Sequence, residues 1–379
     1  MNIWTLNLRH LAALAGIARL GSISAAAHAI NLTQSAISQA LAKLERQMGL
    51  QFFDRGPTGM TPTRATLLLT PRIEAALAHI ASPRVTMAQM RALIALGDAG
   101  SYAAASAEIG LAQPSLHRAV ADLSLALRRM LVERRGKGIA LTQAGRRTLR
   151  AFRLARAEIE AGLFELAALN GSEIGRITVG AMPLSRARLL PAAVTAFHRL
   201  QPQIDIRIVE GSHAELIEPL RDGDIDLLIG ALRDPSPGDD VTQRALFDDH
   251  PMVLARAGHP LAGKAPDIGT LGAYPWTISA PGTPLRSQWE RMFADADRPT
   301  PHVPIECGSV ITIRQILLDS DFLTLLSRDQ VAVELEAGWL TKVCDAPPSL
   351  IRTIGITVRA NWTPTRMQRM FLTTIEELC

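Results

Sequence analysis

The chain has 379 residues, of which 47% are hydrophobic and 20% charged, with a formal net charge of +4. That length implies two or three domains with ample core, and the unbiased composition excludes a disordered or fibrous protein. Residues 1 to 150 carry 18 Lys and Arg against 7 Asp and Glu, while residues 151 to 379 carry 22 against 29. A basic front therefore precedes an acidic rear, as in a protein with one phosphate-meeting module, although solvated Arg on helix surfaces gives the same count.

Cys307, Cys344 and Cys379 form no CxxC and have no His at ligand spacing, so neither a disulfide framework nor a structural zinc is implied. A reducing cytoplasm fits, and no cofactor is expected. The apolar stretch from Leu11 to Leu20 before Ala27-His28-Ala29 imitates a signal peptide, but Arg19 interrupts it and the pattern recurs in mid-chain from Ala92 to Ala107. No apolar run approaches the about 18 residues of a membrane span.

In chain order, Gly21-Ser22 precedes an Ala-rich helix, SISAAAHAI, which Ser22 caps. Asn31-Leu32 makes a turn and Thr33 caps a second helix with Ile37, Leu41, Leu44 and Met48 on one face. Burying that stripe turns Ser35, Gln39, Ala42 and Arg46 outward, with Gln34 and Ser38 at the margin. The pair reads as a helix-turn-helix: alanines let the helices cross closely, Gln can pair bidentately with adenine, and Ser can reach bases or phosphates. The stretch QFFDRGPTGMTPT then reads as a small hairpin, or wing, with Arg55 placed for backbone or minor groove.

Residues 32 to 45, LTQSAISQALAKLE, align without a gap on residues 111 to 124, LAQPSLHRAVADLS, at a shift of 79. In this second copy Gly100-Ser101 and Gly110-Leu111 supply cap and turn, and Leu116, Val120, Leu123 and Leu127 repeat the stripe. Its face carries Gln113, Pro114, Ser115, His117 and Arg118, and its wing, LVERRGKGIALT, brings Arg134, Arg135 and Lys137.

The run LRHLAALAGIARLGSISAAAHAINLTQSAISQALAKLERQMGLQFFDR resembles the N-terminal winged helix-turn-helix of LysR-type transcriptional regulators, without a break from Leu8 to about Ala65. Residues 87 to 145 resemble a second, more diverged copy ending in LTQAG. Ser35 stands where the family commonly has proline, which Pro114 restores in copy two. His117-Arg118 replaces Ser38-Gln39 and Ser124 replaces Glu45, so the two faces should not read the same bases. The resemblance implies double-stranded DNA as partner, a homodimer or homotetramer, and contact with RNA polymerase.

Between Thr142 and Asn170 a long helix is expected, with Leu149, Phe152, Ala155, Ile159, Leu163 and Leu166 on one face. Residues 64 to 80 are a shorter counterpart, closed by Ser82-Pro83. Each apolar face needs a partner, either within the chain or on a second one; in the family resembled, the long helix mediates dimerisation.

From Arg176 the pattern becomes strand, helix, strand, helix, strand: ITVG, LLPAAVTAFHRL, IDIRIVEG, SHAELIEPLRDG with Ser212 and Glu215 in capping-box spacing, and IDLLIG. This implies βαβ units and a parallel sheet, with ligands beyond the strand C-termini. The rear resembles the effector-binding domain of the same family, similar to periplasmic binding proteins. ARAGHPLAG, YPWTISAPGTPLR and RDGDIDLLIG look closest to the subfamily of the galactose-binding-protein regulator and its relatives for aromatic-acid catabolism. The expected architecture is thus multidomain. It consists of two tandem winged helix-turn-helix copies, at 1-82 and 83-170, the second ending in the long linker helix, and a two-lobed α/β effector domain at 171-379. Lobe one spans about 175-254 plus 350-379, and lobe two about 255-349.

Strand ends give the effector candidates: Met182, Pro183, Leu184 and Ser185; Gly211 and Ser212; Ala231; and, in lobe two, Thr283, Cys307, Gly308 and Ser309. Their hydroxyls beside helix N-termini suit a sugar or an aromatic or other organic acid, but for any single Ser or Thr simple helix capping is the commoner role. Relatives often carry a basic residue where Ala231 stands.

An enzyme is not expected, because no P-loop, GxSxG, GxGxxG or HExxH is present, and Asp239-Asp240 and Asp248-Asp249 read as solvated loop acids. Cys307 reads as a small buried thiol rather than a redox sensor. The rear alone would suit a solute-binding protein, with one winged copy kept for protein contacts; the basic front favours a cytoplasmic, DNA-binding regulator under small-molecule control.

Overall fold

The computed structural model describes residues 2–56, 59–136, 138–172 and 174–379, with only the backbone of Arg55. The chain divides into two compact units, Met1–Gly175 with Asp222–Asp224, and Arg176–Arg221 with Ile225–Cys379.

In the front unit α1 (Leu8–Leu20) ends at Gly21, where φ is 71°. Ser22 caps α2 (Ile23–Ala29) by accepting from Ala25 N, and Thr33 caps α3 (Gln34–Met48) by accepting from Ala36 N. These side chains satisfy N–H groups that a first helical turn leaves without partners. The hairpin β1 (Phe53–Gly56) and β2 (Gly59–Pro62) leads into α4 (Arg64–Ile80). The same order then returns: α5 (Met87–Ala99), α6 (Tyr102–Ile109), α7 (Gln113–Leu127), the hairpin β3 (Val132–Arg135) with β4 (Gly138–Leu141), and α8 (Gln143–Leu169). Thr142 and Asn170, expected to bound the long helix, are its N-cap and C-cap.

Most of the stripe positions read from the sequence are buried: Ile37, Leu41 and Leu44 on α3, Leu116, Val120 and Leu123 on α7, and all six named positions on α8, while Met48 and Leu127, the last of their stripes, are half-buried. One continuous core joins α1, α3, α4, α8 and Met87, Met90, Leu93 and Ile94 of α5. A smaller cluster holds Ala92, Ala95 and Leu96 against Ala105, Leu116 and Val120. The apolar faces of α4 and α8 pack on each other within this chain.

In the rear unit the chain forms β5 (Gly175–Ala181), α9 (Leu189–Leu200), β6 (Ile204–Glu210), α10 (His213–Asp222), β7 (Leu227–Ala231) and β8 (Val241–Asp249). It crosses to β9 (Pro251–Arg256), α11 (Ile268–Gly272), β10 (Thr277–Ile278), α12 (Pro284–Ala294), β11 (Ile305–Glu306), α13 (Val310–Leu318), β12 (Thr324–Ser327), α14 (Ala332–Glu336) and β13 (Leu340–Asp345). It returns with β14 (Arg352–Arg359) and α15 (Arg366–Glu376).

The first lobe's sheet has the order β6-β5-β7-β14-β8. Strands β5 and β7 are parallel, but β14 runs antiparallel to both β7 and β8, so the sheet is mixed rather than parallel. The returning strand reverses direction because it re-enters from the second lobe instead of through a crossover helix. The crossing also comes earlier than residue 254, since β9 already pairs with β12 and β13 in the second lobe's sheet.

Asp249, expected as a solvated acid, is buried at this crossing. Its Oδ2 accepts from Ser327 Oγ and from Arg352 Nε, each at 2.5 Å, and Arg352 also donates to Ser327 and Gln330. A buried carboxylate persists only when paired and hydrogen-bonded in this way, and here it fastens the two crossing segments together.

Candidate functional site

The outward face of α3 presents Gln34, Ser35, Gln39 and Arg46 to solvent, with Ser38 half-buried, and Thr33 is exposed at its cap. Burial of the 37, 41, 44 stripe fixes this orientation, because residues two positions away on a helix point to the other side. Not all of these groups are equally available. Gln34 Nε2 donates to Ser24 Oγ at 2.9 Å, tying α3 to α2, and the hydroxyls of Thr33 and Ser35 lie 3.0 Å apart. Gln39 and Arg46 make no side-chain bond among the described residues, which leaves an amide and a guanidinium for a ligand. Exposed Lys43, which the sequence reading passed over, lies one turn beyond Gln39 on the same helix, and that spacing was its available signal.

On α7 Gln113, Ser115, His117 and Arg118 are exposed. The His117 ring leans on Tyr102 of α6, with centroids 5.2 Å apart, whereas Arg118 is unengaged among the described residues. In the second wing Arg134 and Arg135 are exposed on β3, where they can reach phosphates without reading sequence. Lys137 and the side chain of Arg55 lie outside the described residues.

The rear candidates gather in two groups. At the ends of β5, β6 and β7 stand Met182, Ser212 and Ala231; Met182 is buried over Gly230, where an added Cβ would lie 2.5 Å from that of Met182. Leu184 and Ser185 are buried behind it, Ser185 donating to Met182 O, while Pro183 is exposed. Ser212 and Glu215 form the expected capping box, and the Ser212 backbone and hydroxyl bonds hold the Glu215 carboxyl below its usual range. In the second lobe, Thr283 accepts from Arg286 N and Ser309 from Thr312 N, each at a helix start. Half-buried Cys307 follows β11 beside β10, its N donating to Ile278 O. Most of these hydroxyls are therefore occupied as caps.

Two titratable residues that the sequence did not single out, Arg233 and His213, stand near the first group. Arg233, two positions beyond the end of β7, is half-buried, and its guanidinium makes no ion pair among the described residues. Burial first, and repulsion from Arg352 second, lower its pKa from the usual arginine value. His213 opens α10, and its Nε2 is buried without a hydrogen-bond partner among the described residues. Burial, then Arg233 and Arg221, lower its pKa from 6.5. A cation held partly out of water beside an unsatisfied imidazole suits an anion. The strand-end rule that selected Ala231 reaches Arg233 when extended by two residues.

The sequence of residues 170–379 matches the family model described as LysR substrate binding domain. Residues 8–66 and again 87–146 match that of the bacterial regulatory helix-turn-helix protein, lysR family. The chain is 29% identical over 367 residues to the HTH-type transcriptional regulator GalR of Pseudomonas putida, covering 93% of this chain and 92% of that one. It is 31% identical over 263 residues to the HTH-type transcriptional regulator CbbR of Xanthobacter flavus, covering 68% and 78%. Among solved structures, CbnR, a LysR family transcriptional regulator, aligns with a TM-score of 0.56 at 19% identity, covering 76% of this chain and 97% of that one. A full-length OxyR variant of Pseudomonas aeruginosa aligns at 0.57 and 23%, covering 76% and 93%.

Proposed function

Because the chain belongs to the LysR family of bacterial transcriptional regulators, and is a DNA-binding regulator rather than an enzyme, we propose that both of its winged helix-turn-helix copies contact DNA under control of a small anionic effector. The working compartment is the cytoplasm. The observation that carries the DNA part is the pair of outward helix faces, each with an unengaged group suited to a base edge: Gln39 for adenine and Arg118 for guanine. A footprint upstream of the protein's own gene tests it. Gln39→Ala and Arg118→Ala should each erase a different part, at a cost of about 1–3 kcal/mol. If only Gln39→Ala matters, copy two is a scaffold with a phosphate-clamping wing.

For the effector, the unpaired Arg233 and the unsatisfied His213 favour an organic acid over a sugar. Arg233→Gln should weaken benzoate or succinate at least about tenfold, by loss of a charge-assisted bond. An amide that binds as tightly as its acid overturns the anionic reading. A bound anion favours the protonated imidazole, so the pKa of His213 rises on binding and a proton is taken up. Affinity should therefore increase as pH falls from about 7.5 toward and below 6.5, the ordinary histidine value, and titration calorimetry in two buffers reads the uptake directly. Closure of the lobes on such a ligand would change the spacing of the DNA contacts or the bend they impose. A tightly bound effector that leaves footprint and bend unchanged contradicts that mechanism.

A further inference from the structure

The linker helices α4 and α8 lie antiparallel. Leu69 and Arg72 meet Gly162, while His79 and Ile80, a turn or more further along, border a cavity of about 270 Å³ together with Thr148 and Phe152. Their contact buries Leu69, Ile73, Ala76 and Ile80 of α4 against the α8 stripe. Within it Arg72, 5% exposed, reaches Glu158 at 2.9 Å and Glu165 at 3.7 Å. A side chain at Gly162 would collide, its Cβ standing 2.8 Å from Leu69 and 3.1 Å from Arg72.

This pairing is specific to unlike helices. Under the shift of 79, the α8 counterpart of Arg72 is Ala151, and the α4 counterpart of Glu158 is His79. Two copies of α4, or two of α8, cannot therefore form the buried charge pair, whereas α4 with α8 forms it. The reading faces they carry are also unlike, with Ser38-Gln39 on one and His117-Arg118 on the other.

We propose that one chain is by itself a complete two-headed DNA-reading unit, joined through α4 and α8, and that it takes an operator of two unlike half-sites in fixed order rather than a palindrome. The inference rests on the reading that both copies contact DNA. Two-fold dimers of identical heads match palindromic sites, because protein and DNA then share the symmetry axis. Unlike heads on one chain have no such axis.

The test uses full-length chains on the footprinted duplex. Gln39→Ala and Arg118→Ala each weaken binding about ten- to a hundredfold. The two variants are then co-expressed and the mixture is titrated. Heads paired within a chain leave every unit with one damaged face, so the mixture binds as weakly as the variants alone. Heads paired between chains generate some units with both faces intact, and recovery of wild-type affinity in about a quarter of the units, as expected for random 1:1 pairing, overturns the proposal. A palindrome built from the first half-site should bind more weakly than the natural duplex, and equal or tighter binding also overturns it. If Arg118→Ala alone leaves binding unchanged, the two-headed reading itself fails. That outcome appears in the single-variant titration and so is separable from a failure of pairing within the chain.

Discussion

At the end of α3 the chain turns through Gly49 at φ 64°, and at the end of α7 it makes the same turn through Arg128 at φ 53°. Other local devices diverge between the two copies in the same way. Thr33 caps α3, while Ala112 stands uncapped before α7 and Pro114 pre-forms its first turn. Glu45 reaches across to accept from Phe52 N at 3.0 Å, fastening α3 to its wing, whereas Ser124 donates back to Val120 O in its own helix. The buried positions do not diverge in kind: Ile37 and Leu116, Leu41 and Val120, Leu44 and Leu123, Phe52 and Leu131 are apolar and buried in both. Packing constrains the inner face through steric fit with every neighbour, while caps and outer residues act singly and can be lost at about 1 kcal/mol each. Copy two has kept its core and changed its exposed face.

The most severe way to break the comparison is at the seam between the copies. Arg72→Met leaves Glu158 and Glu165, both largely buried, without their cation and should destabilise the front unit by about 3–5 kcal/mol. Thermal unfolding followed by helix circular dichroism should show an early transition, and Arg72→Lys should recover part of the loss. Ala151→Met, at the matching place on α8, removes no charge pair and should cost far less. Equal losses at both positions would mean that helix packing, not the ion pair, defines the seam.

A smaller effect separates the wings. Glu45→Ala deprives the buried-edge amide of Phe52 of a charged acceptor and should cost about 1.5–3 kcal/mol. Ser124→Ala breaks only a bond within its own helix and should stay within about 0.5 kcal/mol of wild type. Denaturant midpoints of the two variants, measured on the full chain, check the difference.

The sequence disclosed these copies to different depths. Helix limits such as Thr142 and Asn170, the stripes at 37, 41, 44 and at 149 to 166, and the outward set around Gln39 depend on spacings within a turn or two, so local periodicity carries them. The α4–α8 partnership depends on Arg72 finding Glu158 across 86 positions, and no local pattern encodes that meeting. Asp249 looked solvated for the same reason, since its partners Ser327 and Arg352 stand 78 and 103 residues away. Arg233 and His213 acquire their meaning only when the end of β7 and the start of α10 come together. The hydroxyls were legible as caps or as ligands, and most serve as caps.

The finest contrast lies at the two left-handed turns. A residue with a Cβ pays roughly 1–2 kcal/mol to occupy that region, because the Cβ crowds the following carbonyl oxygen, while glycine does so freely. Arg128→Gly should therefore stabilise copy two by up to about 1 kcal/mol, the gain being reduced by the extra freedom of glycine in the unfolded chain. Gly49→Ala should destabilise copy one by a similar amount. Hydrogen exchange at the last amides of α3 and α7 resolves the two sites separately, with slower exchange expected near residue 128 in the first variant and faster exchange near residue 49 in the second. If Arg128→Gly instead loosens α7, then the Arg128 side chain contributes a stabilising contact that outweighs its strain, and the turn in copy two is an adaptation rather than a residue of drift.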